Sequence, residues 1–193
     1  MTRVLLARHG RTALNADGLL RGLADPPLDR RGRAEAAALA DALRAAFGSD
    51  AVTAVLASPL QRAQQTARAV AGRFGVESVA SDPGFTDRDY GEWTGQPRDE
   101  VVARFGSVDA APGVQPEGEV VARARAELDA VADAHPEQTV VVVSHDAVIR
   151  PLVESLEGAG TDFMLPTGSW CELVRTGREW TVVSVGNSPV EAR

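Results

Sequence analysis

Cysteine occurs once in the 193 residues, at position 171, so no disulfide can close within the chain. Aromatic residues make up only 5% and histidine appears three times. No apolar run approaches the roughly 18 residues of a membrane span. The opening MTRVLLARHG is too short for a signal-peptide core and is followed by no small-residue cleavage site. Positive charge is also in deficit: the formal net charge is -7, with a pI near 5.0. An acidic chain does not coat nucleic acid or anionic membrane by bulk charge. These shortages leave a globular protein with 44% hydrophobic and 24% charged residues, disulfide-free and expected in the cytoplasm. The length suits one domain, and we expect it to span 1–193.

Local patterning predicts alternating strands and helices. Val4 to Ala7 is a continuous apolar run, as in a strand buried on both faces. Ala36, Leu39, Ala40, Leu43 and Phe47 recur at helical spacing over 32–47, and Gly48 follows as a stop. Residues 52–57 read as a second buried strand, 59–74 as a helix closed by Gly75, and 76–80 as a short strand. Across 82–117, Pro83, Gly84, Gly91, Gly95, Pro97, Pro112, Gly113 and Pro116 interrupt any period, which predicts loops with one short helix at 98–105. A helix returns over 119–134. A strand with four consecutive valines covers 139–143, and a helix containing Pro151 covers 146–156. Residues 170–176 and 179–185 form a hairpin turning at Gly177 and Arg178. The alternation predicts an α/β domain, with a mainly parallel sheet and helices on both faces. In such folds ligands bind beyond the carboxyl ends of the strands.

Three of the predicted strands end in residues of one chemical character. The first ends in Arg8, His9, Gly10, Arg11 and Thr12; the second in Ser58 and Pro59, leading to Arg62; the third in Ser144 and His145. Parallel strands would gather these groups on one rim, making a basic pocket in an acidic protein. Singly, each has a structural reading: a hydrogen-bonding histidine, a solvated helix arginine, a turn glycine. Jointly they point to an anion site, since two of only three histidines occupy strand ends. The third, His135 before Pro136, reads as part of a surface connection.

These residues resemble the histidine phosphatase superfamily, in the branch that includes cofactor-dependent phosphoglycerate mutases. Arg8-His9-Gly10-Arg11-Thr12-Ala13-Leu14-Asn15 is similar to its R-H-G-x-T-x-x-N signature. Arg21-Gly22, then Asp25-Pro26-Pro27-Leu28 and Gly32, resemble the stretch that follows. Ser58-Pro59-Leu60-Gln61-Arg62-Ala63-Gln64-Gln65-Thr66 matches S-P-L-x-R-A-x-Q-T. The segment from Asp87 to Gly95 resembles the family's acid loop, and Val143-Ser144-His145 its second histidine motif. The resemblance implies a three-layer, phosphoglycerate mutase-like domain acting on a small phosphorylated metabolite.

It also implies roles. His9 is the expected nucleophile, forming a phosphohistidine that water hydrolyses. Arg8, Arg62 and His145 are expected to hold the phosphoryl oxygens, with Asn15 donating an uncharged hydrogen bond. A protonated His145 would stabilise transition-state charge. The proton for the leaving group is expected from Asp87, where the family usually has glutamate, with Glu92 and Glu119 in reserve. Arg21, Gly22, Glu92 and Glu119 are candidates for substrate binding. Asp146, in place of the family's frequent glycine, reads as a helix N-cap, or as a charge raising the pKa of His145. No cofactor is expected. No metal is expected either, since histidines at ligand spacing and a Cys/His cluster are both lacking.

Hydrolysis is the expected outcome, because family mutases carry a long insertion between the acid loop and the second histidine strand. Only 94–138 lies there. Mutase-type transfer, action on phosphoproteins and a non-catalytic binding role are the alternatives. No partner chain or oligomeric state is indicated by the sequence.

Overall fold

The computed structural model describes residues 1–157 and 163–189. At its centre lie β1 (Thr2–Arg8) and β4 (Thr139–Ser144), paired in parallel with Leu5 opposite Val141 and Arg8 opposite Ser144. All six residues of β4 are buried, as expected of a valine run covered on both faces. β2 (Val52–Ala57) lies parallel to β4 on its other side, and β3 (Val79–Ser81) extends that edge. β5 (Trp170–Thr176) runs antiparallel to β1 and forms a hairpin with β6 (Glu179–Asn187). The sheet order is β3-β2-β4-β1-β5-β6, four parallel strands with an antiparallel edge.

Helices cover both faces. α2 (Arg30–Phe47) and α3 (Gln61–Phe74) bury Leu39, Leu43, Ala67 and Val70 against Leu5, Val55 and Val141. On the opposite face, α5 (Glu117–Ala134) and α6 (Asp146–Glu157) bury Leu128, Val131, Ile149 and Leu152 against Val4, Leu6 and Val142. α2 opens at Asp29, whose side chain accepts the Gly32 N–H at 2.7 Å, and stops at Gly48 with φ +95°. α6 runs through Pro151.

Local physics accounts for two differences from the sequence expectation. β3 is shorter than 76–80 because the Val76 amide closes α3 on the Ala71 carbonyl at 2.9 Å, leaving three residues to pair with β2. A single turn, α1 (Ala13–Ala16), follows the first strand. It is held by a capping box in which Thr12 and Asn15 bond each other's backbone N–H.

The glycine- and proline-rich stretch contains α4 (Arg98–Phe105) as expected, plus the 3-10 turns Pro83–Phe85 and Gly91–Trp93. It has its own small core, in which Leu20, Tyr90, Val101, Val108 and Ala111 pack with Ala147 at the start of α6. This cluster sits beside the carboxyl ends of the central strands.

Candidate active site

Registers of Arg8 with Ser144 and of Ala57 with Val143 bring the ends of β1, β4 and β2 level. His9 and His145 therefore face each other with ring centroids 5.1 Å apart, both without solvent exposure. His9 Nδ1 lies 2.7 Å from the Gly10 carbonyl, which can only accept, so Nδ1 carries the ring proton. The Nε2 lone pair is left free, and Nε2 is buried without a hydrogen-bond partner. Burial first, then the charges of His145, Arg62, Arg8 and Arg21, push His9 well below the usual histidine range. The ring is neutral at neutral pH, as a nucleophile must be.

The loop that carries His9 is clamped from both sides. The Gly10 N–H donates to Thr66 Oγ1 at 3.0 Å, and that hydroxyl donates to the Arg62 carbonyl at 2.8 Å. On the other side a Cβ on Gly10 would stand 2.3 Å from the Gly32 carbonyl oxygen, and one on Gly32 1.9 Å from that of Arg11. Only two glycines allow this approach of backbone to helix α2.

The sequence leaves the charge of the His145 ring open. Burial, then Arg62, Arg21, Arg8 and Arg123, lower the pKa of His145 well below the histidine range, so its ring is neutral at neutral pH. Its Nε2 lies 2.8 Å from Ser58 Oγ. The Ser58 hydroxyl can donate to Nε2 while its oxygen accepts the Leu60 N–H at 3.3 Å. The Asp87 carboxylate, with Oδ2 3.6 Å from Nδ1, favours the tautomer that carries the ring proton on Nδ1, which has no hydrogen-bond partner. Asp146 does not cap α6 with its side chain; the His145 carbonyl accepts from Val148 and Ile149. The Asp146 carboxylate turns to Arg150 at 3.0 Å and Arg8 at 3.9 Å, and so balances arginines, not the ring.

Arg62 is wholly buried, but its terminal nitrogens are engaged. They donate to the Ala24 carbonyl at 2.7 Å, the Gly22 carbonyl at 2.8 Å and Asp87 Oδ2 at 2.9 Å, leaving Nε for an incoming oxygen. Arg8 donates through NH1 to the Leu165 carbonyl at 2.5 Å and likewise keeps Nε unpartnered. Arg21 shares that state, and its charge bears on both histidines. Gly22, at φ +47°, leaves room for Tyr90, whose ring would stand 3.0 Å from a Cβ there. Asn15 Oδ1 is occupied by Thr12, so only its amide N–H groups remain to donate.

Asp87 is 2% exposed, with Oδ1 accepting the Arg88 N–H at 2.9 Å. It also lines a cavity of about 480 Å³ with Leu23, Thr86, Gln115, Glu119 and Arg123. Glu119 thus stands at the mouth of the site, whereas Glu92 is exposed on the turn Gly91–Trp93 and is not among the lining residues. Arg123 and Ser58 join the site without having been singled out as site residues. Ser58 was visible at a strand end, while Arg123 reads in sequence as a solvated helix arginine. His135 is a structural hydrogen-bonder whose carbonyl accepts from Thr2 Oγ1.

A sequence model of the histidine phosphatase superfamily (branch 1) matches residues 4–188. The chain belongs to the histidine phosphatase superfamily. It is 31% identical over 158 residues to the uncharacterized phosphatase PhoE of Bacillus subtilis, covering 82% of this chain and 79% of that one. It is 30% identical over 168 residues to phosphoserine phosphatase 1 of Hydrogenobacter thermophilus, covering 82% and 77%. The fold matches that of YhfR from Bacillus stearothermophilus with a TM-score of 0.86 at 24% identity, over 97% of this chain and 98% of that one. For a histidine phosphatase superfamily chain, the paired histidines at the carboxyl edge of the sheet are the feature of interest.

Proposed function

We propose that this chain is a phosphatase that passes the phosphoryl group of a phosphate monoester to His9 Nε2 and then to water. One observation carries the reading. Arg8 Nε, His9 Nε2, Arg21 Nε, Arg62 Nε and His145 Nδ1 are all buried without a hydrogen-bond partner, around two facing rings. Leaving such groups unsatisfied costs about 1–3 kcal/mol each, more for charged ones. A phosphoryl group has the charge and the oxygens to satisfy the four N–H donors, and it presents phosphorus to the His9 lone pair.

In the first step the His9 lone pair forms the N–P bond as the P–O ester bond breaks, and the departing oxygen takes a proton from Asp87. In the second, water adds to phosphorus as it gives a proton to the Asp87 carboxylate, the N–P bond breaks, and inorganic phosphate leaves with His9 neutral and Asp87 protonated again. The arginines and His145 Nδ1–H hold charge that spreads over the equatorial oxygens. All 20 of the chain's Lys and Arg residues are arginine. Because guanidinium keeps its charge at every relevant pH, we propose turnover without a metal ion. Hydrolysis, not return of the phosphoryl group, is supported by the compact segment 94–138, most of it α4 and α5.

The same proposal takes 1–193 as one functional domain acting on small phosphorylated metabolites, without nucleic-acid or membrane partners. The phosphoserine phosphatase among the relatives is consistent with a small substrate. Among the described residues no helix is long and apolar enough to cross a membrane. A cytoplasmic location is proposed on the single cysteine, which leaves no internal disulfide to require an oxidising compartment.

The experiment is to turn over an aryl phosphate in excess EDTA and trap the adduct. We expect an acid-labile, base-stable phosphate on His9 by mass spectrometry, and a rate within about twofold of the untreated enzyme. His9→Ala should retain less than about a hundredth of the activity. Activity persisting in His9→Ala, or lost to EDTA and restored by zinc, manganese or magnesium, would overturn the reading.

A further inference from the structure

The unpartnered nitrogens fix where the phosphoryl group sits, and Asp87 fixes where the rest of the substrate goes. Its Oδ2 is 3.6 Å from His145 Nδ1, and Asp87 is among the residues that line the 480 Å³ cavity. Arg123, on that wall, is close enough for its charge to lower the pKa of His145. A leaving group departing beside Asp87 therefore occupies this cavity.

The lining suits one kind of chemistry. Asp89 and Glu119 contribute carboxylates, and neither is in an ion pair among the described residues; Asp89 Oδ1 accepts only the Gly91 N–H, at 2.8 Å. Thr86 and Gln115 add neutral polar groups. The cavity's one basic side chain is Arg123, which is tied to backbone by one N–H of NH1 to the Gly84 carbonyl at 2.7 Å and one of NH2 to the Asp87 carbonyl at 3.1 Å. A substrate carboxylate entering here would meet two carboxylates against a single guanidinium already held by two backbone carbonyls. Hydroxyl or ammonium donors would meet acceptors.

We propose that the cavity selects leaving groups rich in hydrogen-bond donors, the hydroxylated or amino-bearing alcohols, and rejects those carrying a carboxylate. This rests on the phosphatase reading and narrows its substrate class. Glu119 is the residue that sets the preference, standing in the first turn of α5 at the exposed mouth.

The decisive comparison uses glycerol 3-phosphate and 3-phosphoglycerate, matched in size and differing at one end in hydroxymethyl against carboxylate. We expect the first to have at least about a tenfold higher kcat/KM, equivalent to about 1.4 kcal/mol. That is the scale of one like-charge contact in a partly solvated site. Glu119→Gln should narrow the ratio and Glu119→Arg invert it. Because both substrates release an alkoxide, any general effect of Glu119 on turnover cancels in the ratio. Phosphoethanolamine should side with glycerol 3-phosphate.

Binding of the same esters to His9→Ala, followed by calorimetry, reads the preference without turnover. Equal or tighter binding of 3-phosphoglycerate, or a ratio indifferent to Glu119→Arg, would overturn the proposal. Absence of turnover with every ester, joined to the expected order of binding, would strike the phosphatase reading and leave the selectivity standing.

Discussion

Asp87 occupies an unusual position for a proton donor. Its Oδ2 holds Arg62 at 2.9 Å and its Oδ1 takes the Arg88 N–H, so both oxygens are engaged. In the mechanism proposed above, a phosphoryl oxygen arriving at Arg62 and His145 competes for the same donors and so frees the carboxyl to face the ester oxygen. Asp87→Asn separates this role from a merely structural one. An alkoxide leaves poorly and needs a proton, whereas p-nitrophenolate leaves unaided. The substitution should therefore slow an alkyl phosphate on the order of 10²-fold more than p-nitrophenyl phosphate. Equal slowing of both would make Asp87 a holder of Arg62 and nothing more. Residues of this site were legible in the sequence where strand ends announced them, as with Arg8, His9, Ser58 and His145. Arg123 was not, because nothing in Arg123-Ala124-Arg125 distinguishes the arginine facing the cavity from its partner at 125, which pairs with Asp129. Only the packing of α5 beside the turn Pro83–Phe85 makes that distinction.

At the scale of elements, α2 and α3 have a task beyond covering the sheet: between them they hold the peptide that orients the nucleophile. Thr66, one turn into α3 from Arg62, receives the Gly10 N–H, and the Gly10 carbonyl receives the proton of His9 Nδ1. Thr66 is thus a positioning residue, acting on His9 through one glycine. Thr66→Val keeps the shape and removes the acceptor, stranding a buried N–H at a cost of about 1–3 kcal/mol. We expect kcat to fall roughly tenfold or more while vanadate binding changes little, with Thr66→Ser restoring the rate. A loss of stability with unchanged kcat would leave Thr66 a packing residue only. The strands and long helices here were readable because periodicity encodes burial directly: four valines at 140–143 have few alternatives to a central strand. The small third core was not readable. Leu20, Tyr90, Val101 and Val108 are scattered among glycines and prolines, and they share a face only after the sheet has brought 19–28 beside 90–111. The turn α1 was missed for a different reason. Four residues carry no period, and its only signal was the Thr12–Asn15 capping pair, absorbed into a motif.

For the whole molecule, the assembled site is a store of electrostatic strain that pH can release. Two buried histidines are held neutral by burial and by Arg8, Arg21, Arg62 and Arg123, with Asp87 the nearest counter-charge. Their folded-state pKa values lie well below 6.5, the value near which they titrate once unfolded. Between those limits the unfolded chain holds more protons than the folded one, so stability rises with pH across that window. The contribution is complete above about pH 6.5 and is lost as pH falls, with a slope of up to about 1.4 kcal/mol per pH unit for each histidine. Thermal midpoints should therefore climb from pH 5 to 6.5 and then level off. A phosphate or vanadate dianion neutralises the arginines that depress the rings, raises both pKa values toward the unfolded one and flattens the climb. His9→Asn removes one of the two groups and should reduce the slope by about half. A wild-type midpoint that stays constant from pH 5 to 6.5 would mean that the rings are protonated in the folded state, and a protonated His9 has no lone pair with which to attack phosphorus.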